Sequence, residues 1–171
     1  MNSPDLKNEF IHHAIFRINE NTDKIKTCLD ELSEEQVWLH PNNASNSVGN
    51  QLLHLSGNIT QYIISSLGES KDLRNRDAEF AVTGGFSKEE LWKKFTETIS
   101  QAKTIIENTS DEKLTAIHSV QGFQFSGTGI ILHVVEHLSY HTGQIVFYVK
   151  QLKDKDMGFY KNIDLNIKNK I

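Results

Sequence analysis

Apolar residues recur along this chain at alternating steps of four and three, and this spacing is what most constrains how the chain can fold. Between residues 4 and 32 it runs through Ile11, Ile15, Ile18 and on to Ile25, as on the buried face of a bundle helix. We therefore predict one long helix over residues 4–32. The same spacing predicts three further helices, over residues 47–67, 87–109 and 127–153.

The segments between these helices lack the helical spacing. Residues 68–85 are charged and end in two glycines, which predicts a long connection across the molecule. Such loops often carry substrate contacts. Residues 115–125 combine alternating apolar residues with a glycine, which predicts an extended or hairpin-like link. The tail, residues 154–171, alternates apolar with polar residues, which leaves open an edge strand or a loosely docked segment.

Four amphipathic helices joined by loops, without a convincing strand pair between them, predict an all-α four-helix bundle. The 171 residues have the length of one domain, which we place at 1–171. Hydrophobic residues make up 37% of the chain, which excludes global disorder. The one cysteine, Cys28, cannot form an internal disulfide, so the hydrophobic core has to stabilise the fold.

Composition and charge narrow the classes of partner. No apolar run approaches the length of a membrane span, and the start of the chain lacks the basic and apolar regions of a signal peptide. We expect a cytoplasmic protein with no membrane partner. The net charge is −4, and Lys and Arg do not cluster outside the tail, which argues against a nucleic-acid partner.

Three of the eight histidines, His133, His137 and His141, lie in the last predicted helix. Chance predicts about 0.4 pairs four residues apart in the whole chain, whereas this helix contains two. Residues four apart stack on one helix face, and the helical wheel places His137 and His141 in the apolar stripe. Such a pair can bind one metal ion; hydrogen-bonded core histidines are the alternative. His133, at the edge of the stripe, is interpreted as a core histidine.

We expect a third ligand from a facing helix, because two imidazoles alone hold a divalent ion weakly. His54, in the second predicted helix, is the candidate. It lies roughly 130° from the centre of the apolar face, in a strip with Gln51, Asn58 and Gln61. Solvent exposure and a polar cleft between the second and fourth helices both remain open. The other histidines have no partner at metal spacing and are expected at the surface: His12, His13, His40 and His118.

Two segments, residues 50–58 (NQLLHLSGN) and 132–144 (LHVVEHLSYHTGQ), resemble the metal-site segments of the DinB/YfiT-like superfamily. The resemblance spans almost the whole chain. It implies a four-helix bundle that binds one divalent metal ion through His54, His137 and His141.

Two further features refine the resemblance. Residues 76–80 (RDAEF) resemble a subgroup of the superfamily whose function is unassigned. At Thr142 the sequence departs from a frequent superfamily pattern, in which an arginine follows the last histidine. That departure puts in doubt any mechanism that needs this cation to hold an anionic substrate.

Three neutral imidazoles leave a metal ion fully charged and at least one coordination position open, which is typical of catalytic sites. Such an ion lowers the pKa of a bound water towards about 7 and deprotonates a bound thiol. Some members of the superfamily are thiol S-transferases that use bacillithiol or mycothiol, and others are isomerases or hydrolases. We expect a metal-dependent enzyme that activates a thiol or water against a small-molecule electrophile, with a low-molecular-weight thiol as candidate substrate. A metal-dependent hydrolase, a non-catalytic, stress-associated metal-binding protein and a bundle that binds no metal are the alternatives.

The expected ion is zinc or nickel, with iron as a third option, because availability decides among these metals at a histidine site. Asn58 and Gln144 are candidates to support the ligands or to orient substrate, while the catalytic residues stay unassigned. Glu136 points away from His137 and is expected to be a solvated charge. Cys28 has no identified basic partner that would lower its pKa. The resemblance also implies a homodimer.

Overall fold

The computed structural model describes residues 5–169. Helices account for most of this part of the chain, and one short hairpin precedes the last of them. In chain order the elements are α1 (Leu6–Glu31), α2 (Glu34–Val37), α3 (Val48–Ile59), a π-helix that continues α3 (Thr60–Leu67), α4 (Arg76–Ala81), α5 (Lys88–Glu107), α6 (Asp111–Thr115), β1 (Ile117–Val120), β2 (Phe123–Ser126) and α7 (Gly127–Lys153).

The four long helices α1, α3, α5 and α7 form a bundle. Helix α1 packs against α7 and α5, and α3 packs against the same two helices. Each helix supplies aliphatic or aromatic side chains to one shared core, for example the buried Ile18, Leu52, Phe95 and Ile130. The predicted fold class, an all-α four-helix bundle, is therefore confirmed.

The apolar spacing locates these helices to within a few residues. On α1, Ile11, Ile18 and Ile25 are buried as the spacing predicts. The predicted start of this helix, residue 4, lies outside the described residues. None of the helices within residues 5–169 combines the length and the apolar character that crossing a membrane requires.

The second predicted helix changes its geometry partway along. Its start is fixed by a capping box, in which the Ser47 hydroxyl accepts from the Asn50 backbone N–H at 3.1 Å and the Asn50 side chain accepts from the Ser47 N–H at 3.2 Å. After α3 the backbone widens into the π-helix, which ends where the Gly68 N–H donates to the Ile63 carbonyl oxygen at 2.9 Å. Such π segments are frequent near functional sites.

The connection between the π-helix and α5 contains a short helix, α4, where we predicted only a loop. None of the residues of α4 is buried, so the sequence contains no apolar periodicity that would reveal it. Asn75 caps it by accepting from the Ala78 N–H at 3.2 Å. The Asn50 side chain donates to the carbonyl oxygens of Glu79 at 3.0 Å and Val82 at 2.6 Å, which holds the connection against α3.

The hairpin-like link is confirmed: β1 and β2 pair antiparallel, with Ile117 opposite Ser126 and Val120 opposite Phe123. The tail contains turns but no strand between residues 154 and 169, so the edge-strand interpretation is wrong for the described part. Phe159 packs against the core, whereas residues 161–169 are exposed. Residues 170 and 171 lie outside the described residues.

Candidate metal centre

The bundle brings three histidines from two facing helices together. His54 comes from α3, and His137 and His141 come from successive turns of α7. One ring nitrogen from each lies within 4.8 Å of the other two, and His54 Nε2 lies 2.9 Å from His137 Nε2. Imidazole nitrogens are ligands for zinc, nickel and iron, so both the donor set and its spacing fit a divalent ion.

His54 is buried, with 5% of its surface exposed. Of the two alternatives that the sequence left open, the polar cleft between α3 and α7 is therefore correct and solvent exposure is wrong. The helical wheel considered only the apolar face of α3, but the opposite face is covered as well, because α4 packs against it. Gln51 and Asn58, from the same polar strip, are buried as well, because they face α7, where they lie beside His141 and His133.

A carboxylate holds the far side of the His54 ring. Glu79 Oε2 lies 3.0 Å from His54 Nδ1, and Arg74 contacts both oxygens of the same carboxylate, from Nε at 2.7 Å and from Nη2 at 2.9 Å. The side chains of Arg74 and Glu79 are only 3% and 10% exposed. A buried, doubly hydrogen-bonded arginine–carboxylate pair of this kind fixes orientation as well as charge.

The Glu79 carboxylate is ionised at neutral pH. Burial works against its charge, but the hydrogen bonds from Arg74 and His54 outweigh burial and hold the pKa of Glu79 below its ordinary value. An ionised carboxylate only accepts hydrogen bonds, so His54 Nδ1 must carry the proton between them. Arg74 Nη2 also lies 3.2 Å from His54 Nδ1, but its hydrogen bond goes to the carboxylate. His54 Nε2 is thereby left with its lone pair facing His137.

A network of hydrogen bonds ties Arg74 to the π-helix. Its Nη1 donates to Gln61 Oε1 at 2.9 Å, and Gln61 Nε2 donates to Asp72 Oδ2 at 2.8 Å. The other oxygen of Asp72 accepts from the Arg74 backbone N–H at 3.0 Å. The π-helix and the connection are therefore held together at the site.

The two histidines of α7 are neutral at physiological pH. Burial, the nearby His141 and His54 rings and further neighbouring charges lower the pKa of His137 to about 3. Burial and His54 lower the pKa of His141 to about 4, and a hydrogen bond that the ring donates to the Gln144 side chain opposes this shift. On the side of α3, Gln51 Oε1 lies 3.4 Å from His141 Nδ1. Neutral imidazoles have the free lone pairs that metal binding requires.

His133 lies beside this cluster but outside it. Its ring stacks on Tyr62, with centroids 4.1 Å apart, and burial lowers its pKa. Asn58, expected to support His54, instead directs its Nδ2 towards His133 Nε2 at 3.5 Å, because the two side chains meet between α3 and α7. The buried Asn58 Oδ1 has no hydrogen-bond partner among residues 5–169.

A cavity of about 380 Å³ opens onto the cluster. Residues of α3, α4, α7 and the hairpin form its walls. No carboxylate lines it. The lining side chains are His54, Asn58, Arg74, Arg76, Gln121, Phe123, His133 and His137.

Most residues that were predicted to lie away from the site do so. His12, His13, His40 and Glu136 are exposed. His118 is half-buried, contrary to its predicted surface position, because its Nε2 lies 3.0 Å from the Lys113 carbonyl oxygen in the hairpin region. Cys28 is fully buried in the core. Thr142, which stands where the superfamily commonly has arginine, is buried and donates to the Leu138 carbonyl oxygen at 2.7 Å.

Sequence reasoning missed Glu79, Arg74 and the role of Gln51. Glu79 and Arg74 lie in a charged segment without helical spacing, which nothing in the sequence places next to His54. The one available signal was the RDAEF segment, whose resemblance to a subgroup of the superfamily drew attention to residues 76–80 without assigning a role to Glu79.

The fold and the histidine cluster together define a DinB-like four-helix bundle with a candidate metal centre. Three solved structures share the fold. A conserved protein from Enterococcus faecalis is 12% identical, with a TM-score of 0.73, over 84% of this chain and 97% of its own. A DinB-like protein from Bacillus cereus is 16% identical, with a TM-score of 0.63, over 81% and 89%. The DinB-like protein YjoA from Bacillus subtilis is 16% identical, with a TM-score of 0.63, over 86% and 94%.

Residues 5–164 match the family described as "Protein of unknown function (DUF1572)". The chain belongs to this family, and its fold is the one seen in the DinB-like proteins. No curated protein matches the chain.

Proposed function

We propose that His54, His137 and His141 bind one divalent metal ion, and that the protein is a metal-dependent enzyme acting on a small molecule. The observation that carries this proposal is the convergence of three ring nitrogens within 4.8 Å of one another. No fourth His, Cys, Asp or Glu joins this group among the described residues. Three protein ligands and an open position are typical of catalytic sites, whereas structural sites use four.

The environment of His54 supports this assignment. Its Nδ1–H donates to Glu79, and a carboxylate on the far nitrogen fixes the tautomer and orientation of metal-binding histidines in many proteins. The two nitrogens 2.9 Å apart, on His54 and His137, need a proton or a cation between their lone pairs. A divalent ion shared with His141 would meet that need.

When bound, a divalent ion would lower the pKa of a thiol or a water molecule that it coordinates. We propose transfer of a thiol to a small electrophile as the leading reaction and hydrolysis as the second. The chain's own thiol does not serve as the nucleophile: Cys28 is fully buried in the core, and burial raises its pKa to about 11. The nucleophile therefore has to enter from solution, and the cavity beside His54 and His137 provides the access.

The proposal also covers the identity of the metal ion, the co-substrate and the oligomeric state. Zinc or nickel is the proposed ion, with iron as a third option, and a low-molecular-weight thiol is the proposed co-substrate. We also propose a homodimer, because one face of α7 exposes Leu132, Tyr140 and Phe147, and exposed apolar patches often mark interaction sites.

The test of function is a thiol-consumption assay with a haloaromatic and an epoxide electrophile. Purified protein is assayed after loading with zinc, after loading with nickel and after treatment with a chelator. We expect turnover that requires the metal, survives Cys28→Ser and disappears in His141→Ala. Turnover that persists both without metal and in His141→Ala contradicts the mechanism. Activity towards ester or amide substrates in place of thiol transfer would favour the hydrolase, and no turnover at all would favour a non-catalytic metal protein.

A further inference from the structure

The side chains that line the cavity at the candidate site carry positive charge but no negative charge. Two arginines line it, Arg74 and Arg76, and no acidic side chain does. Arg74 is already paired, because both oxygens of Glu79 accept from it. Asp72, on the same connection, accepts from Gln61 and from the Arg74 backbone. The charge that remains for a ligand is therefore the guanidinium of Arg76.

The structure holds Arg76 in position without neutralising it. The carbon of its guanidinium lies 4.9 Å from the centre of the Phe80 ring, a cation–π distance. The Phe80 ring in turn lies 4.8 Å from the His54 ring. No carboxylate within residues 5–169 forms an ion pair with Arg76. The exposed Arg76 is thus stacked on Phe80 at the opening of the cavity, and the Phe80 ring separates it from His54.

The opposite wall of the cavity is polar but uncharged. Gln121, in the turn of the hairpin, lines it and accepts a hydrogen bond from the Tyr62 hydroxyl at 2.9 Å. Phe123 contributes the apolar part of this wall. A molecule that enters therefore meets one cation, amide groups and aromatic surface, and it meets no negative charge that would repel an anion.

We propose that the cavity takes an anionic small molecule and that Arg76 binds its negatively charged group, a carboxylate, sulfonate or phosphate. This inference rests on the proposed function and adds the charge class of its substrate. A guanidinium suits such groups, because its planar fork matches their oxygens.

A series of two-carbon thiols with a different charge at the far end tests this inference, and the comparison of variants with wild type cancels differences between the thiols themselves. The probes are 2-mercaptoethanesulfonate, 2-mercaptoethanol and 2-aminoethanethiol, which are negative, neutral and positive at pH 7. Each is titrated into cobalt-loaded protein, and the thiolate-to-cobalt absorption gives a dissociation constant without any need for turnover. Cobalt uptake is measured first, so that failure of the metal site is recognised separately.

Arg76→Gln is the test variant, Arg76→Lys restores the charge, and Arg17→Gln is the matched control on α1. We expect the wild type to bind the sulfonate about fivefold more tightly than the neutral thiol, the range of a partly exposed ion pair. Arg76→Gln should abolish this preference, whereas Arg17→Gln should keep it and Arg76→Lys should retain part of it. Added salt should weaken the preference, and cobalt affinity should be the same in all four proteins.

The absence of a preference for the sulfonate in the wild type would overturn the inference, and so would an equal preference in Arg76→Gln. Failure of every probe to bind cobalt-loaded protein at millimolar concentration would overturn it too. If the protein takes up no cobalt, the proposed metal-dependent function is wrong, independently of the anion site. In that case the proposed anion site is tested on the metal-free protein, by titrating 2-mercaptoethanesulfonate and following the NMR resonance of the Arg76 Nε–H. A shift of this resonance supports binding at Arg76, and an unshifted resonance would contradict it.

Discussion

Glu79 links the two buried groups that matter most at the candidate site, His54 and Arg74. A single carboxylate orients the histidine and neutralises the arginine. Removing one partner of a buried pair leaves the other charge uncompensated, which costs far more than the pair contributes to stability while intact. The carboxylate therefore connects metal binding with the stability of the connection that covers α3.

Replacing Glu79 by glutamine should weaken zinc binding by about 10–100-fold, the range seen when a carboxylate behind a metal-binding histidine is lost. The glutamine amide would also bring its N–H groups against the Arg74 guanidinium. Zinc affinity is measured by competition with a chromophoric chelator, with the exposed Glu97→Gln on α5 as control. The nitrogen shifts of His54 in the metal-free variant report the tautomer directly. Unchanged affinity and an unchanged tautomer would show that Glu79 is not a positioning residue.

Cys28 provides a pH prediction that does not depend on the metal. Burial, with a smaller contribution from Glu31, raises its pKa to about 11. The unfolded chain loses this proton near its ordinary value of about 8.5, so between about pH 9 and pH 11 the folded state binds more protons. Stability should therefore fall as the pH rises through this window.

Urea unfolding of wild type and Cys28→Ala at pH 8 and at pH 10 measures this effect. The wild type should lose more of its free energy of unfolding than the variant between these two values, and iodoacetamide should label Cys28 only on unfolding. Rapid labelling of the folded protein at pH 8 would contradict the assigned burial.

The three candidate metal ligands were predictable from the sequence, but the burial of one of them was not. Helical spacing placed His137 and His141 on one inward face, and the resemblance supplied His54 as the third candidate. Spacing alone could not decide whether His54 is buried, since its neighbours Gln51 and Asn58 are polar. These two side chains are covered by α7, and His54 is covered in addition by α4, which shows no periodicity of its own.

At the level of elements, α4 packs closely against α3 at a glycine. A Cβ at Gly57 would overlap the Glu79 carboxylate and approach Arg74 Nε. Gly57 is one turn from His54, so the missing side chain is what allows the carboxylate to reach the histidine ring. By contrast, a Cβ at Gly143, on α7, would meet no atom within 4 Å.

Gly57→Ala and Gly143→Ala should therefore have opposite effects. In an exposed helix interior, alanine is favoured over glycine by about 0.5–1 kcal/mol, so Gly143→Ala should raise the free energy of unfolding. Gly57→Ala should lower it by about 1–3 kcal/mol, as overpacking does, and should also weaken zinc binding. Denaturant unfolding and the chelator competition measure both quantities. Stabilisation in Gly57→Ala would contradict the close contact with Glu79.

The elements differ in how far the sequence could predict them. The four bundle helices were predictable because each buries a stripe of residues such as Ile18, Phe95 and Ile130. α4 has no fully buried residue. It is held against α3 by the Asn50 side chain, which donates to backbone carbonyls, and by the Glu79 carboxylate at His54. The π-helix preserves the apolar composition of an α-helix, so its altered hydrogen bonding left no signal in the spacing.

At the level of the whole molecule, the apolar face of α7 supports the proposed homodimer. Leu132, Tyr140 and Phe147 lie on one side of α7 and are 60%, 61% and 65% exposed. Light scattering should give twice the 19.5 kDa mass of the chain, and Tyr140→Glu should lower that mass towards the monomer. Leu73→Glu, at an exposed position outside α7, is the control. A monomer at high micromolar concentration would reject the dimer.

The proposed ion would join α3 to α7, two neighbouring helices of the bundle, and so link the metal site to the fold. Zinc content per chain, measured by mass spectrometry on wild type and single alanine variants, shows whether His54, His137 and His141 bind the ion. We predict one zinc per chain in the wild type and in His133→Ala, and its loss in His54→Ala, His137→Ala and His141→Ala. Loss of zinc in His133→Ala with retention in His54→Ala, or a wild type that binds none, would contradict the account.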